Sequence, residues 1–598
     1  MERITFYEFC QMQKVDSEWL QSSDGKLEID ADTCPLPYDR LIVGGSLTIS
    51  SQRGCILPPY MRVGAELTLR GKGITNLPNR LSVGMCLWLR DTNVHVIPET
   101  CSLFAAAIFQ TPITQFPKPW TLKGGLYLHE CPITELPPGL NVRSLCVSQC
   151  PLTKLPDRLT TPYLSIRDTQ IREIPKDIHV DEVYVEDSPL EVLPDKWNVR
   201  NLVLKGTLLK SLPKRLRVGG FLDISNTPIR EIPADCVAGT LIAGSPELKK
   251  LPDNWRVEKC VFLRGCPSLT YLPKNLTIGE ELHISGPGVK EIPASLRVES
   301  LHVANGSIEK LPDNWSLPGS LVLENCPQLK RLPKGLSIGK DLSISNSPVT
   351  EIPADCQIRQ SLNIQRCPIK NLPANLSIGG QLLADDSALE CLPDGLQVGG
   401  DVSLARTKVS HVPEDAVIAG VLNIQDCSIQ HIPSSVILLG VLSDHPIHNE
   451  AYVFQKDGVD FHPNGSYMCV HGLLCRIVER KDNTYHCARM GTNEELYVIV
   501  DERATAMGQT LSLAKADLRY HTFEGNVSAL ETRGVYDQLS FEEAYLCYRL
   551  VTWVDTFDMD FLLDESGREK ECYTLQELMD LSKGHKGHLD FLRHFQMT

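Results

Sequence analysis

Residues Leu77–Pro98 read "LPNRLSVGMCLWLRDTNVHVIP". Leu77, Leu81, Val83, Leu87, Leu89 and Val94 are apolar at set offsets, and polar residues fill the places between them. The alternation Leu87-Trp88-Leu89-Arg90 has period two, so as a strand it turns Leu87 and Leu89 inward and Trp88 and Arg90 outward. Pro98 then restarts the phrase. Working outward from this stretch, prolines that follow an apolar residue run from Pro37 to Pro433, each 19 to 21 residues after the last. A period of this size held over about 400 residues marks a solenoid.

The physics of one coil explains the spacing. Stacked copies pair their short strands into a parallel sheet, each coil covering the next. Burying each aliphatic side chain contributes about 1.5–3 kcal/mol, which offsets chain entropy only when neighbours seal both sides. The proline sets φ and removes an N–H where the chain leaves the sheet. "VGG" at 218–220, 378–380 and 398–400 is expected to make a tight turn. Six or seven residues before each proline, sixteen of eighteen coils from Thr92 to Cys427 carry Thr, Ser or Cys; Pro287 and Gly306 are the exceptions. Small O–H and S–H groups at that place are expected to bond to backbone inside the coil. Cys131, Cys150, Cys266, Cys326, Cys367 and Cys427 therefore read as structural. A longer period overlies the first: Trp197, Trp255 and Trp315 recur in "LPDKW" and "LPDNW", placed to fill the convex side of the core.

Composition narrows the partners. The chain has 598 residues, 42% hydrophobic and 22% charged, with a net charge of −15. That charge argues against nucleic acid or an anionic membrane as the main partner. No apolar run of about 18 residues is present, so no membrane span is expected. The start, "MERITFYEFCQMQKVDSEWL", lacks the pattern of a Sec signal peptide, which fits a cytoplasmic fold. Export by a specialised secretion system is compatible with such a start. The 21 cysteines are scattered rather than paired, so a reducing compartment is expected.

The offsets Leu-x-Leu-x-x-[Thr/Cys/Ser]-x-[Ile/Val]-x-x-[Leu/Ile]-Pro resemble the short leucine-rich repeat of Gram-negative bacteria and their phages. The resemblance covers roughly 31–443 and departs from that pattern in the "VGG" insert and in the missing Asn. It implies a leucine-rich-repeat-like β-solenoid, a parallel sheet of about 20 coils on the order of 100 Å long. The expected division is an N-terminal cap over 1–30, the solenoid over 31–443 and a small α+β domain over 444–598. The resemblance also implies an effector-like interaction protein, acting on a partner protein of a host cell.

A stacked coil has no large closed hollow, so the useful surface is the outward side of the sheet. Arg70, Trp88, Arg90, Tyr127, His129, Arg167, Tyr184, Glu186 and Lys205 occupy outward places and are the candidate protein-binding residues. Trp, Tyr and Arg are the types enriched where interfaces are strongest. No cofactor is expected.

After Gly440 the Leu-Pro beat stops. From residue 451 onward there are 24 acidic and 15 basic side chains, so most of the negative charge lies here. Short alternating runs broken by "KDN" and "GTN" predict an antiparallel meander. Ser540/Glu543 and Thr574/Glu577 are spaced as capping boxes, so helices should follow each. Phrases of this tail are similar to C-terminal segments attached to related repeats in enteric bacteria and phages, a likeness that implies no activity. A second reading makes the tail a cysteine-dependent transferase or ubiquitin-ligase-like enzyme whose substrate the solenoid selects. Its candidates are Cys487 beside His486, and Cys469 near His471. Adjacent residues of a strand face opposite ways, which counts against the first pair, and no tail cysteine has Asp two places on. Cys572, His585, His588 and His594 hold metal-binding atoms, but two glycines break that helix and no Cys-x-x-Cys pair is present, so no metal is expected. The acidic run 555–565 lacks the spacing of a calcium loop.

Overall fold

In the computed structural model the alternation around Leu87 is a strand, and its period-two burial repeats from coil to coil. The structure describes residues 4–22, 24–455, 457–490, 492, 494–523, 538–552, 554, 558–563, 568, 570, 572–588, 590, 591 and 594. The fold is a parallel-sheet β-solenoid of about 21 turns followed by a small region of helices and antiparallel strands. The chain divides into two compact units, 1–312 and 313–598.

The first unit opens with two short helices, Phe6–Met12 and Ser17–Ser22. Thr5 and Glu8 form a capping box on the first. Strand Lys26–Asp30 then pairs in parallel with Ser46–Ser50. From there the rungs keep one register: Leu47, Leu67, Leu87, Ala106, Leu126, Leu145, Leu164, Val183 and Leu202 are successive partners. All nine are buried, because each is covered by the same position of the coils before and after.

Most coils also carry a second parallel strand, which the sequence reading did not anticipate. Arg40–Val43 pairs with Tyr60–Val63, and that strand with Arg80–Val83. The chain bends at Gly379–Gly380 and Gly399–Gly400, as expected, and the glycine after this strand also serves a second purpose. None of the "VGG" glycines has a positive φ. Instead, successive backbones touch there: a Cβ on Gly64 would lie 1.9 Å from the Gly44 carbonyl oxygen, and one on Gly399 would lie 2.2 Å from that of Gly379. At Gly64 and Gly399 the coils approach too closely for a methyl group, whereas Gly219 has open space around it.

The small-residue positions form a ladder inside the coils. Thr92 and Thr111 hydroxyls are 3.1 Å apart, and those of Thr169 and Ser188 3.2 Å. The thiols donate too: Cys266 to the Ala243 carbonyl at 3.3 Å and Cys367 to that of Ile344 at 3.0 Å. One coil departs: Pro287 is exposed, and Gly288 takes the buried place. Immediately before the ladder the backbone turns left-handed, with φ of 55° at Asn226, 54° at Asn305 and 53° at Asn346. Asn tolerates this region better than most residues. All 21 cysteines are free. Trp255 fills the core and donates its indole N–H to the Cys236 carbonyl at 2.8 Å.

In the second unit the parallel rungs continue, with Leu321, Leu342, Leu362, Leu382, Val402 and Leu422 as successive partners. The run ends where Ile437–Leu438 pairs with Tyr452–Val453. A six-stranded antiparallel sheet, Val459 to Gly508, follows as the alternating runs predict. It closes over the coils: Val417, Ala419, Ile437 and Leu439 pack with Phe454, Cys469, Leu474 and Met490. Helix Leu511–His521 leans on the sheet, and helix Phe541–Thr552 follows it. Both expected capping boxes are present, at Ser540/Glu543 and Thr574/Glu577. The second starts helix Leu575–Leu581, which stops before Gly584. Of the acidic run 555–565, residues 555–557, 564 and 565 lie outside the described residues.

Candidate protein-binding surface

Parallel register turns chance outward side chains into rows. At the central outward place of the first unit, Thr48, Thr68, Trp88, Ala107, Tyr127, Cys146, Ser165, Tyr184 and Val203 are successive partners. At the last outward place the row is Ser50, Arg70, Arg90, Phe109, His129, Ser148, Arg167 and Glu186. Eight of the nine candidate residues therefore stand in two adjacent rows. Lys205, exposed, follows the strand Asn201–Val203.

The rows join into an aromatic stripe. Trp88 stacks on Phe109 with centroids 6.0 Å apart, and Phe109 meets the tilted His129 ring at 5.8 Å. The Arg90 guanidinium lies 4.8 Å from the Trp88 ring centroid and 5.5 Å from that of Phe109. His129 is held by Ser148 at 2.8 Å and Tyr127 by Ser144 at 3.0 Å. Further along, Tyr163 packs on Tyr184 at 5.1 Å and Tyr184 on Phe221 at 6.3 Å. Burial and the Glu182 carboxylate raise the Tyr184 phenol above its ordinary value. Arg167 makes long ion pairs, 3.9 Å to both Asp168 and Asp187.

Between Trp88 and Tyr163 the stripe sinks into a depression of about 680 Å³. Its floor is low because Ala105 and Gly125 stand at outward places; Trp88, Phe109 and Tyr127 rise around it, with exposed Met85 and Phe104 at the side. A Cβ on Gly125 would lie 2.6 Å from the Tyr127 ring, so the missing side chain shapes the hollow. The indole nitrogen of Trp88 is buried without a hydrogen-bond partner among the described residues. Phe109, Tyr163, Met85 and Phe104 were not singled out from the sequence. The run "SLFAAAIF" at 102–109 held the signal, since Ala105 and Ala107 leave low outward places beside the bulky Phe109.

The sheet face of the second unit differs in kind. There Gln365 bonds to Asp385 at 2.8 Å, Ser403 to Asp385 at 2.5 Å and Asn423 to Ser403 at 3.1 Å. These side chains satisfy one another and present a polar, self-paired surface.

The tail thiols are placed for packing. Cys487 is buried and donates to the Met468 sulfur at 3.5 Å, and burial pushes its thiol up to about 12. His486, on the opposite face of the same strand, pairs with Glu495 at 3.1 Å and stacks on Tyr497 at 4.8 Å. Cys469 is buried among Phe454, Leu474 and Met490, while His471 is exposed in the next turn with φ of 47°. A nucleophilic thiol needs the reverse, an accessible sulfur with a lowered pKa. Among the described residues, Cys572, His585, His588 and His594 do not form a group of three or more potential ligands. No helix of the described residues is long and apolar enough to cross a membrane.

No family model matches the chain, and no curated protein matches it. Among solved structures, YopM from Yersinia enterocolitica WA-314 is similar at 19% identity, with a TM-score of 0.30 over 68% of this chain and 83% of that one. YopM from Yersinia pestis, described as a leucine-rich effector protein, is similar at 21% identity, with a TM-score of 0.26 over 53% of this chain and 80% of that one. The repeat and the register of its rungs, independently of those superpositions, make the chain a leucine-rich-repeat-type β-solenoid with a small α+β tail.

Proposed function

We propose that this chain is a protein-binding solenoid whose first-unit sheet face captures a partner protein, in an effector-like role. The observation that carries the reading is the aromatic-walled depression between Trp88 and Tyr163. Rigid aromatic side chains around a shaped hollow are what strong interface contacts require. Arg70, Arg90 and Arg167 border the stripe and suit a partner segment whose apolar side chains are flanked by carboxylates. The tail, taken as 444–598, covers the last coils through Phe454, Leu474 and Met490. Delivery into a host cell by a specialised secretion system extends the reading through the repeat's resemblance. Burial of Cys487, Cys475 and Cys547 gives the transferase alternative no support.

The test is capture from candidate host lysate on the immobilised full chain, beside a Trp88→Ala/Tyr127→Ala variant and an Arg70→Glu/Arg90→Glu/Arg167→Glu variant. A protein bound by the parent and lost from both variants, with unchanged circular dichroism, supports the reading. An identical set of captured proteins from all three chains rejects this face.

A further inference from the structure

Further along the first unit's sheet the outward row changes chemistry. Phe262, His283 and His302 are successive cross-strand partners. Glu281 lies on the same strand as His283, two residues before it, and so shares its face. Parallel strands about 4.8 Å apart force such neighbours into contact. The two imidazoles stack with centroids 4.6 Å apart and planes 10° from parallel. Phe262 stacks on the other side of His283 at 4.7 Å, fixing the plane of that ring. The Glu281 carboxylate meets His283 Nε2 at 2.7 Å. One nitrogen from each histidine and one carboxylate oxygen all fall within 4.8 Å of one another, and all three residues are half-buried.

We propose that Glu281, His283 and His302 bind a divalent metal ion of the zinc class. Two imidazoles and a carboxylate are a donor set suited to zinc, with bonds of about 2.0–2.2 Å. Ligand atoms around a tetrahedral ion then stand roughly 3.3 Å apart, so the parallel imidazoles tilt towards a common point when the ion binds. Three protein ligands leave a coordination position for water or for a donor atom from a docked molecule. The strands themselves supply the preorganisation, since Glu281 to Ala304 keep an unbroken five-residue register.

A second group, His431, His448 and Glu450, is exposed and its imidazoles are 5.5 Å apart. It provides the background that the experiment removes. The full chain carrying His431→Gln and His448→Gln is stripped with chelator and titrated with zinc against a chromophoric competitor. It is compared with the same chain also carrying His283→Gln and His302→Gln, and with one also carrying Glu281→Gln. The expected result is one zinc equivalent at micromolar concentration, lost in the double-histidine variant and weakened at least about tenfold by Glu281→Gln. Thermal melting without metal shows that all three chains are folded, and added zinc raises the midpoint of the chain with Glu281, His283 and His302 intact but not that of the chain carrying His283→Gln and His302→Gln. Equal zinc binding with and without His283 and His302, or no zinc bound by the intact site, overturns the proposal.

Discussion

Trp88 lies over Phe109 one coil further on, their planes only 12° from parallel, with the Arg90 guanidinium against both rings. The pair stands on outward places whose inward neighbours, Leu87, Leu89 and Ile108, are fully buried. Truncating the indole therefore changes the surface and spares the core. Trp88→Ala should weaken capture of the partner by about 2 kcal/mol or more, some thirtyfold, and leave the melting temperature nearly unchanged. Binding of a purified captured partner, followed by interferometry, checks this; a strong loss of melting temperature would mean that the stripe serves stability.

Two glycines separate close approach from backbone conformation. Gly64 has an ordinary φ but leaves no room for Cβ, whereas Gly139 has φ of 67° and open space around it. Gly64→Ala should cost about 3 kcal/mol as the coils are pushed apart. Gly139→Ala should cost about 1 kcal/mol, the strain of the left-handed region. Denaturant midpoints of the two variants settle the order, and the reverse order would refute the close-contact account.

Burial pushes the thiols of Cys475, Cys487 and Cys547 up to about 12. The folded state thus disfavours thiolate where the unfolded chain forms it near 9.0. Their contribution to stability is complete below that value and is lost as pH rises through it towards about 12. The tail should loosen in alkali, and these three thiols should resist alkylation at pH 8 until denaturant is added. Mass spectrometry of the alkylated chain reads this directly; modification of Cys487 in the native protein at a rate like that of an exposed thiol would revive the enzymatic reading.

Asp517 is buried at the centre of the tail's polar network. Its carboxylate pairs with Arg549 and accepts from the Met507 amide at 3.0 Å and the Tyr545 hydroxyl at 3.3 Å. Arg549 in turn lies 4.2 Å from the Tyr520 ring centroid. Asp517→Ala leaves that guanidinium buried without its counter-charge and should cost about 3–5 kcal/mol. Hydrogen exchange should show the loss in Leu511–His521 and Phe541–Thr552 while the rungs before residue 440 keep their protection.

The single sequence determined the solenoid, because every coil must place aliphatic side chains at the same offsets to be covered by its neighbours. It likewise disclosed the ladder of Thr, Ser and Cys, the outward places of Trp88 and Arg90, and both capping boxes, all consequences of local spacing. Tertiary structure alone decided what depends on register between residues about twenty positions apart. That includes the stack of Trp88 on Phe109, the hollow above Ala105 and Gly125, and the meeting of His283 with His302. It also decided that Gly64 faces a carbonyl and that Cys487 points into the core. Spacing along a strand tells which face a side chain takes; which neighbour it meets there depends on how the coils align, and that is a property of packing.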